Sequence, residues 1–418
     1  MLQRINNLLH NKNFRDGSLF TFFSFLNQGL NFLLLIVLSW YILPDSYGKL
    51  NLFYTGISII SVLICLCTNG IVGINFFKES KANISRYINI VLFCTLAMSV
   101  ILCICIIIFH RYIEAGAGIE YKLQFLCIYI CALTVVYNLL TDIYRLEEKV
   151  IAYGVVTTIS TVLNIITTLI LVIVLSQDWL GRIHSNAIII SLFFIAGLII
   201  LKKHNVLSKR LPSKSQIHET LSYGIPLIPH SLNGFFRQGV DKYIINGIFT
   251  TTQVGLFSFS ANFSFIIYSI GAAFNRSNSV YIFKCLSENP ENAKAKLRKQ
   301  TWLMIAFFAA ITILLNIICA VIFPLLFPTY ANAIIYLLPL TLGAFFQCVY
   351  LQFCNYIFFF RKTKQLMFIT CSVSLLHMGL SLWLTQYSVV LTAWVSMISS
   401  SVEAILVYLY SRKLYKVI

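Results

Sequence analysis

Twelve long apolar runs constrain this chain more than any other feature. They lie at about 18–43, 50–77, 87–109, 122–143, 151–175, 183–201, 219–248, 254–283, 301–326, 332–360, 366–385 and 388–411. A helix needs roughly 20 apolar residues to cross the hydrocarbon core of a bilayer. Within that core each backbone N–H and C=O must be satisfied inside the segment, so each run is predicted to be a helix. Only 11% of the residues are charged, against about 25% in soluble domains. The chain therefore reads as an all-α polytopic membrane protein with twelve transmembrane helices. Runs longer than a minimal span imply tilt, or helix ends standing in water.

Lysine and arginine set the expected orientation. With the amino terminus in the cytoplasm, 24 of the 31 basic residues fall in inside segments, from Arg4, Lys12 and Arg15 at the start to Arg412, Lys413 and Lys416 at the end. Only Lys49, Arg111, Lys122 and Arg182 fall outside. Cytoplasmic loops carry such an excess, so both termini are predicted to be cytoplasmic. The net charge of +17 is then a topology signal, with anionic lipid as its partner rather than nucleic acid. Residues 1–17 are polar, and the run behind them is too long for a cleaved signal and lacks a small-residue cleavage site.

The motifs of soluble enzymes do not occur. The twelve cysteines lie in or beside apolar runs without metal-ligand spacing, as small buried hydrophobes do. No phosphate loop, G-x-S-x-G or H-E-x-x-H is found. No cofactor and no metal is implied, and the short outside loops argue against an enzyme.

The polar, basic stretch KKHNVLSKRLPSKSQIH, residues 202–218, follows the sixth run. It is expected to link an amino-terminal six-helix bundle (1–201) to a carboxy-terminal one (219–418). An internal echo fits this plan. YILPDSYGKLNLF after the first run resembles GIFTTTQVGLFSF after the seventh, with Gly48 and Gly255 207 positions apart. Both runs point outward, so the repeat is parallel.

These stretches carry a family resemblance. YILPDSYGKLNLF and YGIPLIPHSLNGFFRQGVDKYIINGIFTTTQVGLFSFS resemble corresponding stretches of bacterial polysaccharide-export proteins. The chain resembles a Wzx-type O-antigen flippase, in the superfamily of multidrug extruders and oligosaccharidyl-lipid and polysaccharide exporters. Thr252-Gln253 stands where that family often has an acidic residue. The resemblance implies two six-helix bundles around a central cavity that opens alternately to each side. It implies a lipopolysaccharide-biosynthesis substrate, an undecaprenyl-pyrophosphate-linked glycan, moved to the outer leaflet of the inner membrane. It also allows a complex with polysaccharide polymerase machinery.

Such a cavity needs fixed positive charge and many hydrogen-bonding groups. Residues three or four apart share a helix face, and several runs carry polar stripes on that spacing. Ser24, Asn27, Gln28 and Asn31 mark the first run, and Thr157, Thr161, Asn164 and Thr168 the fifth. Ser258, Asn262, Ser269 and Arg276 mark the eighth. Thr370, Ser374, His377 and Ser381 mark the eleventh, and Thr392, Ser396, Ser399 and Glu403 the twelfth. Close packing with back-bonds to the chain is the alternative for the Ser and Thr stripes. His377 alone reads as a hydrogen-bonded packing residue before it reads as a proton carrier.

The seventh run, SLNGFFRQGVDKYIINGIF in its middle, sets Arg237, Asp241 and Lys242 within six positions. His230, Gly234, Arg237 and Asp241 fall on one helical stripe, behind Pro226 and Pro229. A charge at the bilayer centre costs about 2.5–3.5 kcal/mol on insertion scales. A wet cavity makes that bearable, and an Arg237–Asp241 pair along the helix softens it further. Arginine's planar fork suits pyrophosphate oxygens, so Arg237 is the leading candidate ligand. A permanent pair that only fixes packing is the competing account. Lys242 is expected to snorkel outward, and Arg276 either meets substrate or snorkels. The substrate-binding candidates are thus Arg237, Asp241, Lys242, Arg276, Asn27, Gln28, Asn31 and Asn262. Asp241 and Glu403 are the candidates for coupling to H+ or Na+. A cation-coupled small-molecule exporter and a membrane glycan polymerase remain as alternatives.

Overall fold

A computed structural model of the chain describes residues 12–207, 211–288 and 290–416. Arg4, Lys209, Arg210 and the extreme carboxyl terminus lie outside the described residues. Fifteen α-helices are found among those described, and no strand. They are α1 (Lys12–Leu38), α2 (Pro44–Ile64), α3 (Gly70–Asn75), α4 (Lys81–Ala117), α5 (Tyr121–Leu146), α6 (Val150–Leu169), α7 (Asp178–Lys203), α8 (Lys214–Gly224), α9 (Ile228–Gln238), α10 (Val240–Ile248), α11 (Thr251–Glu288), α12 (Pro290–Leu326), α13 (Ile334–Phe359), α14 (Thr363–Leu384) and α15 (Val389–Leu414). Among the described residues, eleven helices are long and apolar enough to cross a membrane. Phe93, Leu96, Val100, Ile104 and Ile107 form an exposed apolar stripe on α4. Such a face suits lipid and not water.

The seventh expected span is not continuous. Residues 219–248 pass through the end of α8, a short 3₁₀ turn at Ile225–Leu227, then α9 and α10. The sequence explains the segmentation. Pro226 and Pro229 remove two backbone donors and crowd the preceding turn. At Gly239, between α9 and α10, an added Cβ would lie 2.5 Å from the Phe235 ring. A side chain at that point would have to displace the ring. The second run is broken too, where Leu66 and Cys67 take positive φ between α2 and α3.

The chain divides into two compact units. The first holds the described residues up to Leu43 and Leu52–Leu232. Its core is apolar and formed mainly by α4 and α5, with Ile88, Val91, Leu139 and Leu140 fully buried. The second holds Pro44–Asn51 and Asn233–Ile418. Here Ile282 of α11, Leu297 of α12, Ile357 of α13 and Val407 of α15 meet in one core. An aromatic cluster seals another part of it, where Phe259 stacks on Tyr330 at 4.4 Å and meets Phe323 and Phe327 edge-on or tilted.

Within the second unit, the two echoing glycines touch. A Cβ on Gly48 would lie 1.9 Å from the Thr251 carbonyl oxygen. One on Gly255 would lie 1.8 Å from the Pro44 carbonyl oxygen. Pro44 and Thr251 share the 207-residue offset of the glycines, so the contact is reciprocal. Each strand of the echo presents its glycine to the other's preceding turn. The crossing is close because small residues let helix backbones approach. Overpacking usually costs about 1–3 kcal/mol, and the obstacle here is main chain, which yields little. Gly255→Leu is therefore expected to remove the monodisperse peak of the tagged protein in fluorescence-detected size exclusion. A peak of normal height and position would show that the crossing is looser than this geometry requires.

Candidate functional site

The charged residues of α9 and α10 gather in the second unit, with partners different from those expected. Arg237 sits in the last turn of α9 and Asp241 in the first turn of α10. The break at Gly239 removes the continuous helix that an i, i+4 pair requires, so the expected Arg237–Asp241 pair does not form. Arg237 instead donates from one terminal nitrogen to the Glu403 carboxylate and from the other to Ser400 Oγ at 3.2 Å. Its side chain is 14% exposed, whereas that of Glu403 is 1% exposed. Arg237 Nε is buried and has no partner. The guanidinium has five N–H donors and spends two of them here, so its Nε–H and one hydrogen on each terminal nitrogen stay unused.

Asp241 is buried at the centre of a second network. Its carboxylate accepts from Ser381 Oγ at 2.7 Å and Ser396 Oγ at 3.2 Å. His377 Nε2 lies 3.1 Å away, and His377 Nδ1 lies 2.9 Å from Ser399 Oγ. The polar stripes of α14 and α15 therefore converge on Asp241. Hydrogen bonds of this number and quality are what a buried carboxylate needs. Lys242 does not snorkel. It is half-buried, with Nζ 3.4 Å from Asn51 Oδ1 in the first turns of α2. Asn262 donates to the Tyr47 hydroxyl at 2.6 Å.

Arg237, Asp241, Lys242, Ser258, Asn262 and Gln347 are among the residues lining one cavity of about 160 Å³ in this unit. Ser258 Oγ is another buried polar atom there without a partner. At roughly 30 Å³ per water, the space holds a few waters or one compact polar group. It is too small for a glycan, which needs several hundred cubic ångströms. Two cations, an unused guanidinium donor and hydroxyl and amide groups suit an anion with several acceptor oxygens.

The remaining candidates are not part of this group. Asn27, Gln28 and Asn31 lie on α1 in the first unit. Gln28 and Asn31 are exposed, Asn31 Nδ2 turns back to the Asn27 carbonyl at 2.8 Å, and Asn27 Oδ1 is buried without a partner. Arg276 is exposed on α11, about 21 Å along the helix from Asn262 by helical rise. The stripe of the fifth run, on α6, is largely structural. Thr157 and Thr168 bond back to Tyr153 and Asn164 carbonyls, and Arg182 donates to the Asn164 and Thr168 side chains.

One polar feature escaped the sequence reading. Asn278 donates to Gln352 at 2.5 Å, Gln352 donates to Gln300 at 3.0 Å and to Thr301 at 2.9 Å, and Asn355 donates to Asn275 at 2.7 Å. This buried amide chain ties α11, α12 and α13 together. Its available signal was Gln352 and Asn355, three apart inside an apolar run.

Residues 14–277 match the model of the family described as polysaccharide biosynthesis protein. The match covers more than half of the chain. The chain belongs to that family. An uncharacterized membrane protein of Haemophilus influenzae is 22% identical over 87% of this chain and 88% of its own length. A second relative from the same organism, Lsg locus putative protein 1, is also 22% identical, with the same coverage. Among solved structures, the lipid II flippase MurJ in an inward closed conformation covers 95% of this chain and 87% of its own, with TM-score 0.73 and 15% identity. An inward-facing MATE multidrug resistance transporter of the MOP superfamily covers 92% and 94%, with TM-score 0.72 and 15% identity. The fold is thus the two-bundle fold of these two transporters.

Proposed function

We propose that this protein moves undecaprenyl-pyrophosphate-linked O-antigen or related repeat units from the cytoplasmic to the periplasmic leaflet of a bacterial inner membrane by alternating access. One observation carries this reading: Arg237, with an unused Nε donor, and Lys242 open on the same cavity. A pyrophosphate offers many acceptor oxygens and negative charge, the complement of that pair. Family membership and the MurJ-like fold support a lipid-linked glycan as the substrate class. Asn27, Gln28 and Asn31 would contact the glycan, whose hydroxyls suit neutral amides, and Arg276 the entering headgroup. The polymerase that consumes the flipped unit is the natural neighbour in the membrane. A second reading, a cation-coupled small-molecule exporter, draws on the buried carboxylates Asp241 and Glu403. Against it, Arg237 and Lys242 outnumber Asp241 among the charged residues lining the cavity.

Deletion in a strain that makes the matching glycan tests the substrate. Lipid-linked single repeat units should accumulate in the cytoplasmic leaflet, and the cell surface should lose the polymer. Normal surface polymer with altered drug tolerance would favour the exporter. Reporter fusions in the 202–218 linker and at the carboxyl terminus should read cytoplasmic, and fusions near Gly116 and Asp178 periplasmic. A periplasmic linker would overturn the proposed orientation.

A further inference from the structure

The first turns of α12 carry a basic cluster that the transport reading does not use. Lys294, Arg298, Lys299 and Trp302, with Ala295, line a shallow concavity of about 560 Å³ on the second unit. All five residues are exposed. No carboxylate among the described residues pairs with the three cations, although ion pairs occur elsewhere in the molecule.

Helix geometry says where this cluster stands. Trp302 to Leu326 is a rise of about 36 Å, a little more than the hydrocarbon thickness of about 30 Å. Trp302 therefore lies at the hydrocarbon boundary, where tryptophan concentrates. Arg298 and Lys299 stand about one turn beyond it, and Lys294 about two turns, at the depth of lipid phosphates. The positive end of the helix dipole adds to their field.

The face below the cluster is equally specific. Leu303, Phe307, Ile313, Leu314, Ile317 and Val321 are exposed along α12. At 100° per residue they fall on the side that adjoins Lys299 and Trp302. A ligand seated on the cations thus has an apolar track leading from it into the membrane. A free anion would use the cations and leave the track unexplained; a lipid uses both.

We propose that Lys294, Arg298, Lys299 and Trp302 seat the phosphate headgroup of an anionic phospholipid, with its acyl chains lying along the exposed face of α12. The lipid is a bound component of the leaflet in which α12 begins, separate from the transported molecule.

Trp302 provides the probe. The full-length protein is prepared with Trp40, Trp179, Trp383 and Trp394 changed to phenylalanine. It is reconstituted in phosphatidylcholine bilayers containing either dibrominated phosphatidylglycerol or dibrominated phosphatidylcholine. Quenching of Trp302 is expected to give a relative binding constant several-fold in favour of the phosphatidylglycerol, since each interfacial cation contributes to anionic-lipid attraction. The triple variant K294Q/R298Q/K299Q should bring that ratio to about one with an unchanged circular-dichroism spectrum. A second parent that keeps only Trp383, exposed on α14, should show no preference. A ratio of one in the Trp302 parent would overturn the proposal. So would a preference that survives in the triple variant, or one that appears equally at Trp383. Inorganic phosphate is added at constant ionic strength as the last arm. If it displaces the brominated phosphatidylglycerol at millimolar levels, the site takes a soluble anion and the lipid assignment fails.

Discussion

Arg237→Ala is expected to reduce surface glycan on the order of 100-fold or more at matched protein abundance. Two charge-assisted hydrogen bonds from a guanidinium to phosphate oxygens are worth about 1.5–3 kcal/mol each, and each 1.4 kcal/mol is a factor of ten. The substitution has a second effect, on stability. It leaves Glu403 buried and without its partner, and breaking a buried pair costs about 3–5 kcal/mol. Activity and abundance must therefore be separated, and the pairing seen in the structure shows how. Glu403, not Asp241, is the residue to remove together with Arg237. The double change Arg237→Ala with Glu403→Ala takes away both charges, so abundance should recover towards normal whatever the role of the pair. Export should stay lost, because the pyrophosphate ligand is gone. If export recovers along with abundance, the pair serves packing alone and Arg237 is not a substrate ligand. Arg237→Lys should hold Glu403 as a point charge and keep part of the export, while losing the fork and the free Nε donor.

The membrane helices were legible because hydrocarbon imposes one rule on length and polarity. Ten runs needed nothing else, and the second came out as a span over Pro44–Ile64 with a break behind it. The seventh held its own warning in Pro226 and Pro229, but Gly239 looked like one more small residue in an apolar run. Its consequence was large, since the break after Gln238 detaches Arg237 from Asp241 and redirects both. Periodicity tells which residues share a face of one helix. It does not tell which face of another helix they meet. His377, Ser381, Ser396 and Glu403 were all visible as polar stripes of the last two spans. That three of them surround Asp241, more than 130 positions away in sequence, depends on helix packing that no local pattern encodes. Lys242 failed for a related reason. Snorkelling is the expectation for a lysine with lipid around it, whereas here the first turns of α2 supply Asn51 as an oxygen partner. The Gly48–Gly255 contact came through better, because the same signal was repeated in the sequence and then met itself in space.

The Asp241 network is expected to carry protons rather than sodium. A sodium site would turn oxygen lone pairs toward an empty centre. Around Asp241 Ser381 and the His377 ring turn hydrogens inward instead, and Ser396 divides its one hydrogen between Asp241 at 3.2 Å and the Thr392 carbonyl at 3.3 Å, an arrangement that satisfies an anion. The hydroxyl of Ser399 adds a constraint. It lies 3.1 Å from the Ser396 carbonyl oxygen and 2.9 Å from His377 Nδ1, and it has one hydrogen to give. If that hydrogen goes to the carbonyl, Nδ1 must donate, and the extra proton sits either on Nε2, making an imidazolium beside a carboxylate, or on Asp241, which then donates to Nε2. If it goes to Nδ1, the ring is neutral and its single N–H serves Asp241. One hydroxyl rotation thus accompanies each proton gained or lost, and the proton stays within the reach of α10, α14 and α15. Asp241→Asn keeps the size of the side chain and removes the charge. It should stop glycan export and, in vesicles loaded with lipid-linked substrate, abolish the pH change that accompanies transport. His377→Gln keeps hydrogen-bonding capacity without an ionisable ring, and should uncouple export from the pH gradient while leaving the protein in the membrane. Sodium chloride exchanged for choline chloride should change neither rate. A requirement for sodium in the normal protein, or a transport-linked pH change that persists in Asp241→Asn, would remove this network from the coupling path.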